Sequence, residues 1–233
     1  MARYDSNPPT VAVRTPPRRG EARAALMEAA LELVASESNF SALSLRRIAR
    51  RAGVVPTAFY RHFQDMDALG MALVEDTFAE LRRMLGDADL PSMPVDGLTR
   101  YSVQLFASHV RDHRLLFQFL IKERYAGSAA MRAAIHGHIS ALIDELADDL
   151  AQFDEFGHID IDDLRMIAEL VVNAIIAVSE RILDVSPDAA ADDALMLRAE
   201  KQLRLIFLGV GRWNSRDTRR TPTPETPRVA RER

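Results

Sequence analysis

Apolar positions recur at intervals of three and four along most of the chain, and no run alternates with the period of two that marks a strand. The spacing predicts a first helix over about residues 19–36, with Leu26, Ala29, Ala30, Leu33 and Val34 on one face. Ser44 suits the N-cap of a short helix reaching residue 51. Gly53 then breaks the pattern, and Pro56 fits the first turn of a third short helix ending near residue 62. Asp65 caps a longer fourth helix to about residue 85, where Gly86, Pro91 and Pro94 mark a loop. Five further helices follow over about 95–111, 114–124, 128–153, 161–184 and 189–212, with Pro187 between the last two. The expectation is an all-α fold of nine helices: a three-helix head over 18–64 and a helical body over 65–213. The ends, 1–17 and 214–233, are rich in Pro, Thr and Arg without periodicity and are expected to be disordered.

Composition removes several classes of function. The chain has 233 residues and no cysteine, which excludes a disulfide scaffold, a cysteine nucleophile, a thiolate zinc site and an iron–sulfur cluster. The most apolar stretch, 168–178, is interrupted by Glu169 and Asn173, well short of the roughly 20 residues a membrane span needs. Without an apolar signal core at the N-terminus, the expected location is the cytoplasm. A net charge of −4 hides a strong asymmetry. Residues 1–64 hold ten Arg against five acidic residues, 65–211 hold thirteen basic against twenty-six acidic, and 212–233 hold seven Arg against three acids. Such a split suits a basic head for a polyanion on an acidic body.

The stretch LRRIARRAGVVPTAFYRHF, residues 45–63, carries the chemistry. Two short helices joined by a tight turn containing Gly form a helix-turn-helix pattern. Ala49 is small where the second helix would cross, and Gly53 supplies a left-handed turn. Ile48, Ala52, Val54 and Phe59 are spaced to fill the wedge between the helices. Outward positions carry Arg46, Arg47, Arg50, Arg51 and Arg61 with Thr57, Tyr60 and His62. In this geometry the 55–62 helix enters the major groove, so Val55, Pro56, Thr57, Ala58 and Arg61 would meet base edges or a thymine methyl. Ser44, Arg46, Tyr60 and His62 would position phosphates, and Arg18 and Arg19 would follow the backbone or reach the minor groove. The same residues also suit a solvated Arg-rich helix pair inside a larger bundle.

These residues resemble the TetR family of repressors. The resemblance rests on the apolar first helix, Ser44-Leu45, Ile48-Ala49, Ala52-Gly53-Val54 and Tyr60 through Phe63. It implies a homodimer that binds palindromic operator DNA and is controlled by a small ligand in the body. One position departs: Met66 stands where the general pattern places a phosphate-binding Lys. PTAFYRHF with Asp65-Met66-Asp67, and LIKERYAGSAAMRAAI over 120–135, are instead similar to the FabR-type repressors of unsaturated fatty-acid synthesis. That likeness implies a long-chain acyl-CoA effector and desaturase or synthesis genes as targets. The alternative is a repressor of an efflux or catabolic operon with another small hydrophobic ligand.

The body agrees in kind. Phe106, His109, Phe117, Leu120, Arg124, Met131, Ile135 and Leu142 are the candidate ligand contacts, although most apolar residues of such helices simply form core. Val171, Ile175, Val178 and Ile182 on one helix and Leu203, Ile206 and Val210 on the next are the candidate dimer seam, as a four-helix interface. His109 and His113 are four apart, as a metal pair would be, but spacing assigns no further ligands, so no metal and no cofactor is expected. No Ser–His–Asp set, paired carboxylates or Gly-rich phosphate loop points to an enzyme. An Arg-rich head lying on anionic membranes is a further reading that footprinting on DNA would eliminate.

Overall fold

A computed structural model describes residues 21–36, 39–86, 95–184 and 189–215. Its helices are α1 (Ala22–Ser36), α2 (Leu45–Arg51), α3 (Pro56–Phe59), α4 (Met66–Gly86), α5 (Val95–Asp112), α6 (Arg114–Ala126), α7 (Ala129–Ala151), α8 (Ile161–Asp184) and α9 (Ala189–Val210). Two 3₁₀ turns, Phe40–Ala42 and Asp154–Phe156, interrupt the loops before α2 and α8. No strand occurs among the described residues, and the all-α expectation holds. Arg18, Arg19 and the segment 1–17 lie outside the described residues, as does 216–233.

The chain forms two compact units that interleave in sequence, 1–83 with 113–136 and 84–112 with 137–233. The helix-turn-helix segment 45–63 lies wholly within the first unit. α1 packs on α6 as well as on α2 and α3, which joins α6 to the helix-turn-helix segment in one unit.

In the first unit, α1 buries Leu26, Ala30 and Val34 completely. Asp65 caps α4 as expected, its Oδ1 accepting the Ala68 N–H at 2.8 Å. Gly70 lets α4 approach its neighbours closely, because a Cβ there would lie 2.7 Å from the Met131 sulfur and 3.1 Å from the Phe40 ring. Phe40 meets Phe119 of α6 edge-on, with centroids 5.9 Å apart.

Beneath this cluster lies a fully buried carboxylate. Glu123 of α6 is 0% exposed, and its Oε1 accepts the Phe40 N–H at 2.7 Å. Burial pushes its carboxyl above the usual range, opposed by that N–H and by the Lys122 charge. Between the ordinary carboxylate value and the raised one the folded state holds the extra proton, so stability falls as pH rises through that window. Glu123→Gln removes this contribution. In urea melts across the acid range, the variant's advantage over wild type is expected to grow with rising pH and level off above the raised value. An advantage that shrinks with rising pH contradicts the assignment.

In the second unit, α8 and α9 pack on each other and both pack on α5. Arg100–Glu200 at 3.2 Å and Arg111–Asp192 at 2.5 Å add ion pairs from α5 to α9. A core cluster of this unit closes around Leu150, Phe156, Ile159, Leu164, Ile167 and Val210. Trp213 follows α9 and donates its Nε1–H to Asp163 Oδ2 at 2.8 Å, while Ser215 Oγ accepts the Asp160 N–H at 3.1 Å. The chain beyond α9 is thereby fastened to the start of α8.

Candidate functional site

α2 begins where Ser44 turns its hydroxyl onto the Arg47 N–H, and it ends at a turn closed by Val54 N–H to Ala49 O at 2.9 Å. Gly53 sits at φ +72°, the left-handed region in which a Cβ is strained. Pro56 opens α3 at a position whose amide needs no helical partner. Ile48, Ala49 and Phe59 are completely buried, and Ala52 and Phe63 nearly so. A larger residue at Ala49 would lever α3 away from α2, which explains the small side chain there.

α3 is shorter than the spacing predicts, because its helical run ends at Phe59. The chain continues in hydrogen-bonded turns, with Arg61 N–H to Ala58 O at 3.2 Å and His62 N–H to Phe59 O at 2.9 Å. Phe59 forces this compactness by packing against both Tyr60 and Phe63, at 5.7 and 5.6 Å.

The outer surface is then set by what the wedge leaves out. Val55 and Tyr60 are 65% and 64% exposed, a costly display of apolar surface unless something covers it. Pro56, Thr57, Arg61 and His62 are exposed beside them, and Ala58 is half-buried. Ser44, Arg46, Arg47 and Arg50 are exposed on α2 and its cap. Every described member of the expected DNA-facing set thus reaches the surface, with Ala58 the least accessible.

Arg51 is different. Its Nε lies 2.6 Å from Glu32 Oε2 of α1, so this arginine braces α2 against α1. Arg23 similarly spans Asp76 at 3.5 Å and the Phe63 ring at 5.6 Å. The distinction has a measurable consequence. Arg46→Ala is expected to reduce the slope of log affinity against log salt by about one per subunit, as loss of a phosphate contact does. Arg51→Met is expected to leave the slope unchanged. Equal slopes for both variants would contradict this division of roles.

The candidate ligand contacts fall in both units. Phe117, Leu120, Met131 and Ile135 are buried in the first unit, and Arg124 sets its guanidinium 5.2 Å over the Tyr125 ring. His109 and Leu142 are buried in the second unit. His113 stands in the non-helical junction before α6, 3.3 Å from Glu80. Phe106 lines a small apolar cleft between α5, α8 and α9, with Val103, Ala174, Ile175, Val178 and Leu203. Its volume of about 30 Å³ admits a water or two.

The residues expected at the dimer seam lie largely within the protomer's own packing. Val171, Val178, Ile182, Leu203 and Val210 are buried within the single chain, and Ile175 and Ile206 are half-buried. The most apolar stripes of α8 and α9 are consumed in packing on each other and on α5. What these helices show to solvent is a second set: Met166 and Leu170 on α8, and Leu197, Leu205 and Leu208 on α9. Leu205 is 70% and Leu208 62% exposed. Met166 and Leu170 are four apart and Leu205 and Leu208 three apart, a spacing legible in the sequence but masked by the stronger stripe alongside.

Known proteins share this arrangement. Residues 26–73 match the family described as bacterial regulatory proteins, tetR family, and residues 95–208 match the tetracyclin repressor-like C-terminal domain. A TetR-like transcriptional regulator from Rhodococcus sp. RHA1 superposes with a TM-score of 0.64 at 20% identity, covering 83% of this chain and 99% of its own. FadR from Bacillus subtilis, solved with stearoyl-CoA, gives 0.58 at 15% identity, covering 78% and 96%. NalD, the secondary repressor of the MexAB-OprM multidrug efflux pump in Pseudomonas aeruginosa, gives 0.59 at 22% identity, covering 82% and 97%. At these identities the likenesses speak to fold.

Proposed function

From a chain that belongs to the TetR family of transcriptional regulators, we propose a homodimeric repressor of fatty-acid desaturase or synthesis genes, controlled by long-chain acyl-CoA. The observation that carries the DNA arm is the rigid wedge of Ile48, Ala49 and Phe59 holding Val55, Thr57, Tyr60 and Arg61 outward. Rigid presentation matters because base recognition depends on hydrogen-bond geometry, whereas phosphate attraction does not. Two copies joined through the exposed leucines of α8 and α9 would place two such faces on successive half-sites of a palindrome.

The acyl-CoA arm is supported by the fold shared with FadR, whose structure holds stearoyl-CoA. Further support is the apolar character of the body, and the likeness of 120–135 to the FabR-type repressors adds to it. No helix of the described residues is long and apolar enough to cross a membrane. The cleft beside Phe106 admits a water or two, so an acyl chain entering there would open the packing and thereby select a different state of the body. A ligand shifts the equilibrium only by its difference in affinity between the two states. Chains of different length or unsaturation can therefore act with opposite sign.

The test is operator binding at fixed salt, titrated with saturated and unsaturated long-chain acyl-CoA and with free CoA as control. A chain-dependent shift that free CoA does not produce is the expected result. Operator affinity indifferent to every acyl-CoA would sink the lipid arm. Release by aromatic cations or antibiotics would favour the efflux or catabolic reading, for which the shared fold with NalD speaks.

A further inference from the structure

The Phe40–Ala42 turn leads directly into Ser44, the cap of α2, and most of its hydrogen bonds are local. Ala42 N–H donates to Asn39 Oδ1 at 2.9 Å and Leu43 N–H to Phe40 O at 3.0 Å. The Phe40 N–H is the exception, because its acceptor is Glu123, 83 residues away on α6. The adjacent Lys122 donates from Nζ to Val34 O at 2.5 Å and to Ala35 O at 3.5 Å, among the last carbonyls of α1. Consecutive residues of α6 thus hold the end of one helix with a cation and the start of the next turn with an anion. Both signs match the partial charges exposed at those ends.

A buried carboxylate is an expensive way to fill this space. Its second oxygen, Oε2, is buried without a hydrogen-bond partner among the described residues. An apolar side chain of similar volume would avoid that cost. The end of α6 is shaped around the carboxylate: a Cβ on Gly127 would lie 3.3 Å from Oε2 and 2.6 Å from the Glu123 carbonyl oxygen. Phe40 itself is 2% exposed, its ring meeting Phe119 edge-on and lying close to Gly70.

We infer that Glu123 is a positioning residue for DNA recognition, which sets the entry of α2 by holding the Phe40 N–H from α6. The inference rests on the DNA-reading assignment above. It makes α6 a fixed support for the angle at which α2 and α3 are presented, while the Arg-rich surface and its charge do not depend on it.

The test compares Glu123→Met, Glu123→Gln and wild type on a duplex selected by the wild-type protein from a randomised pool, and on an unrelated duplex. Glu123→Met keeps the volume and removes the acceptor; Glu123→Gln keeps the acceptor and removes the charge. The expected result is at least a tenfold loss of affinity for the selected duplex in Glu123→Met. Binding to the unrelated duplex and its salt slope should match wild type, and Glu123→Gln should restore selected binding to within about threefold. A folded Glu123→Met that binds the selected duplex as wild type does would overturn the inference, as would a Gln variant that loses as much as Met. If Glu123→Met does not fold, Glu123→Asp, which draws the acceptor back from the Phe40 N–H by one methylene, decides. A severalfold loss confined to the selected duplex supports the inference, and no loss overturns it. A wild-type protein that prefers no duplex refutes the DNA assignment itself, an outcome distinct from all of these.

Discussion

A chain carrying Leu170→Glu and Leu205→Glu is expected to be a folded monomer with operator affinity reduced at least a hundredfold. Both leucines are more than half exposed, so the substitutions remove little buried contact within the protomer. Surface changes of this kind alter stability by about 0.5 kcal/mol or less. In a two-fold interface each substitution occurs twice, and four carboxylates would enter an apolar contact without partners. Separated heads then lose the effective concentration that ties the second half-site to the first, an advantage of roughly 10²–10⁴. Sedimentation equilibrium and operator titration read the two effects. A variant that stays dimeric would place the interface elsewhere. Leu203→Glu provides the contrast: at 5% exposure it should unfold the second unit rather than dissociate a dimer.

Phe59→Ala is expected to destabilise the first unit by about 3–5 kcal/mol, the usual cost of truncating a buried aromatic. The side chain is completely buried and touches both Tyr60 and Phe63. A four-residue helix has no stability of its own, so α3 depends on this anchor for its existence. Against a total of about 5–15 kcal/mol for an ordinary domain, the loss should abolish specific DNA binding near the upper end of the growth range. Tyr60→Ala separates packing from recognition. With that ring 64% exposed, denaturant midpoints should be nearly unchanged while operator affinity falls. If Phe59→Ala melts as wild type does, the wedge is not what holds α3.

The helices were legible in the sequence because amphipathic spacing, caps and breakers agree at nearly every boundary. Ser44, Gly53, Pro56 and Asp65 each act in the structure as their chemistry predicts. The end of α3 was not legible. Periodicity carried it to residue 62, whereas packing of Phe59 between Tyr60 and Phe63 closes it into turns. The burial of the strongest stripes of α8 and α9 within the protomer was not legible for a related reason. A single chain shows which stripe is most apolar, not which partner will cover it, and here α5 and the two helices themselves take the stronger one. The pairing of Arg51 with Glu32 and the reach of Glu123 to Phe40 join residues 19 and 83 apart, and no local pattern announces either. Glu123 in particular reads in sequence as one charge within Lys122-Glu123-Arg124, a solvated helix face.

The most direct measurement is a hydroxyl-radical footprint of the dimer on duplexes it selects from a random pool, repeated with Arg61→Ala. Two protected segments related by a two-fold axis, one helical turn or a multiple apart, are expected. Arg61→Ala should relax the preference at one position in each half-site, at a cost of about 1–3 kcal/mol. Binding without a selected sequence, weakened equally on all duplexes by Arg61→Ala, would mean that the head attracts phosphates but does not read bases.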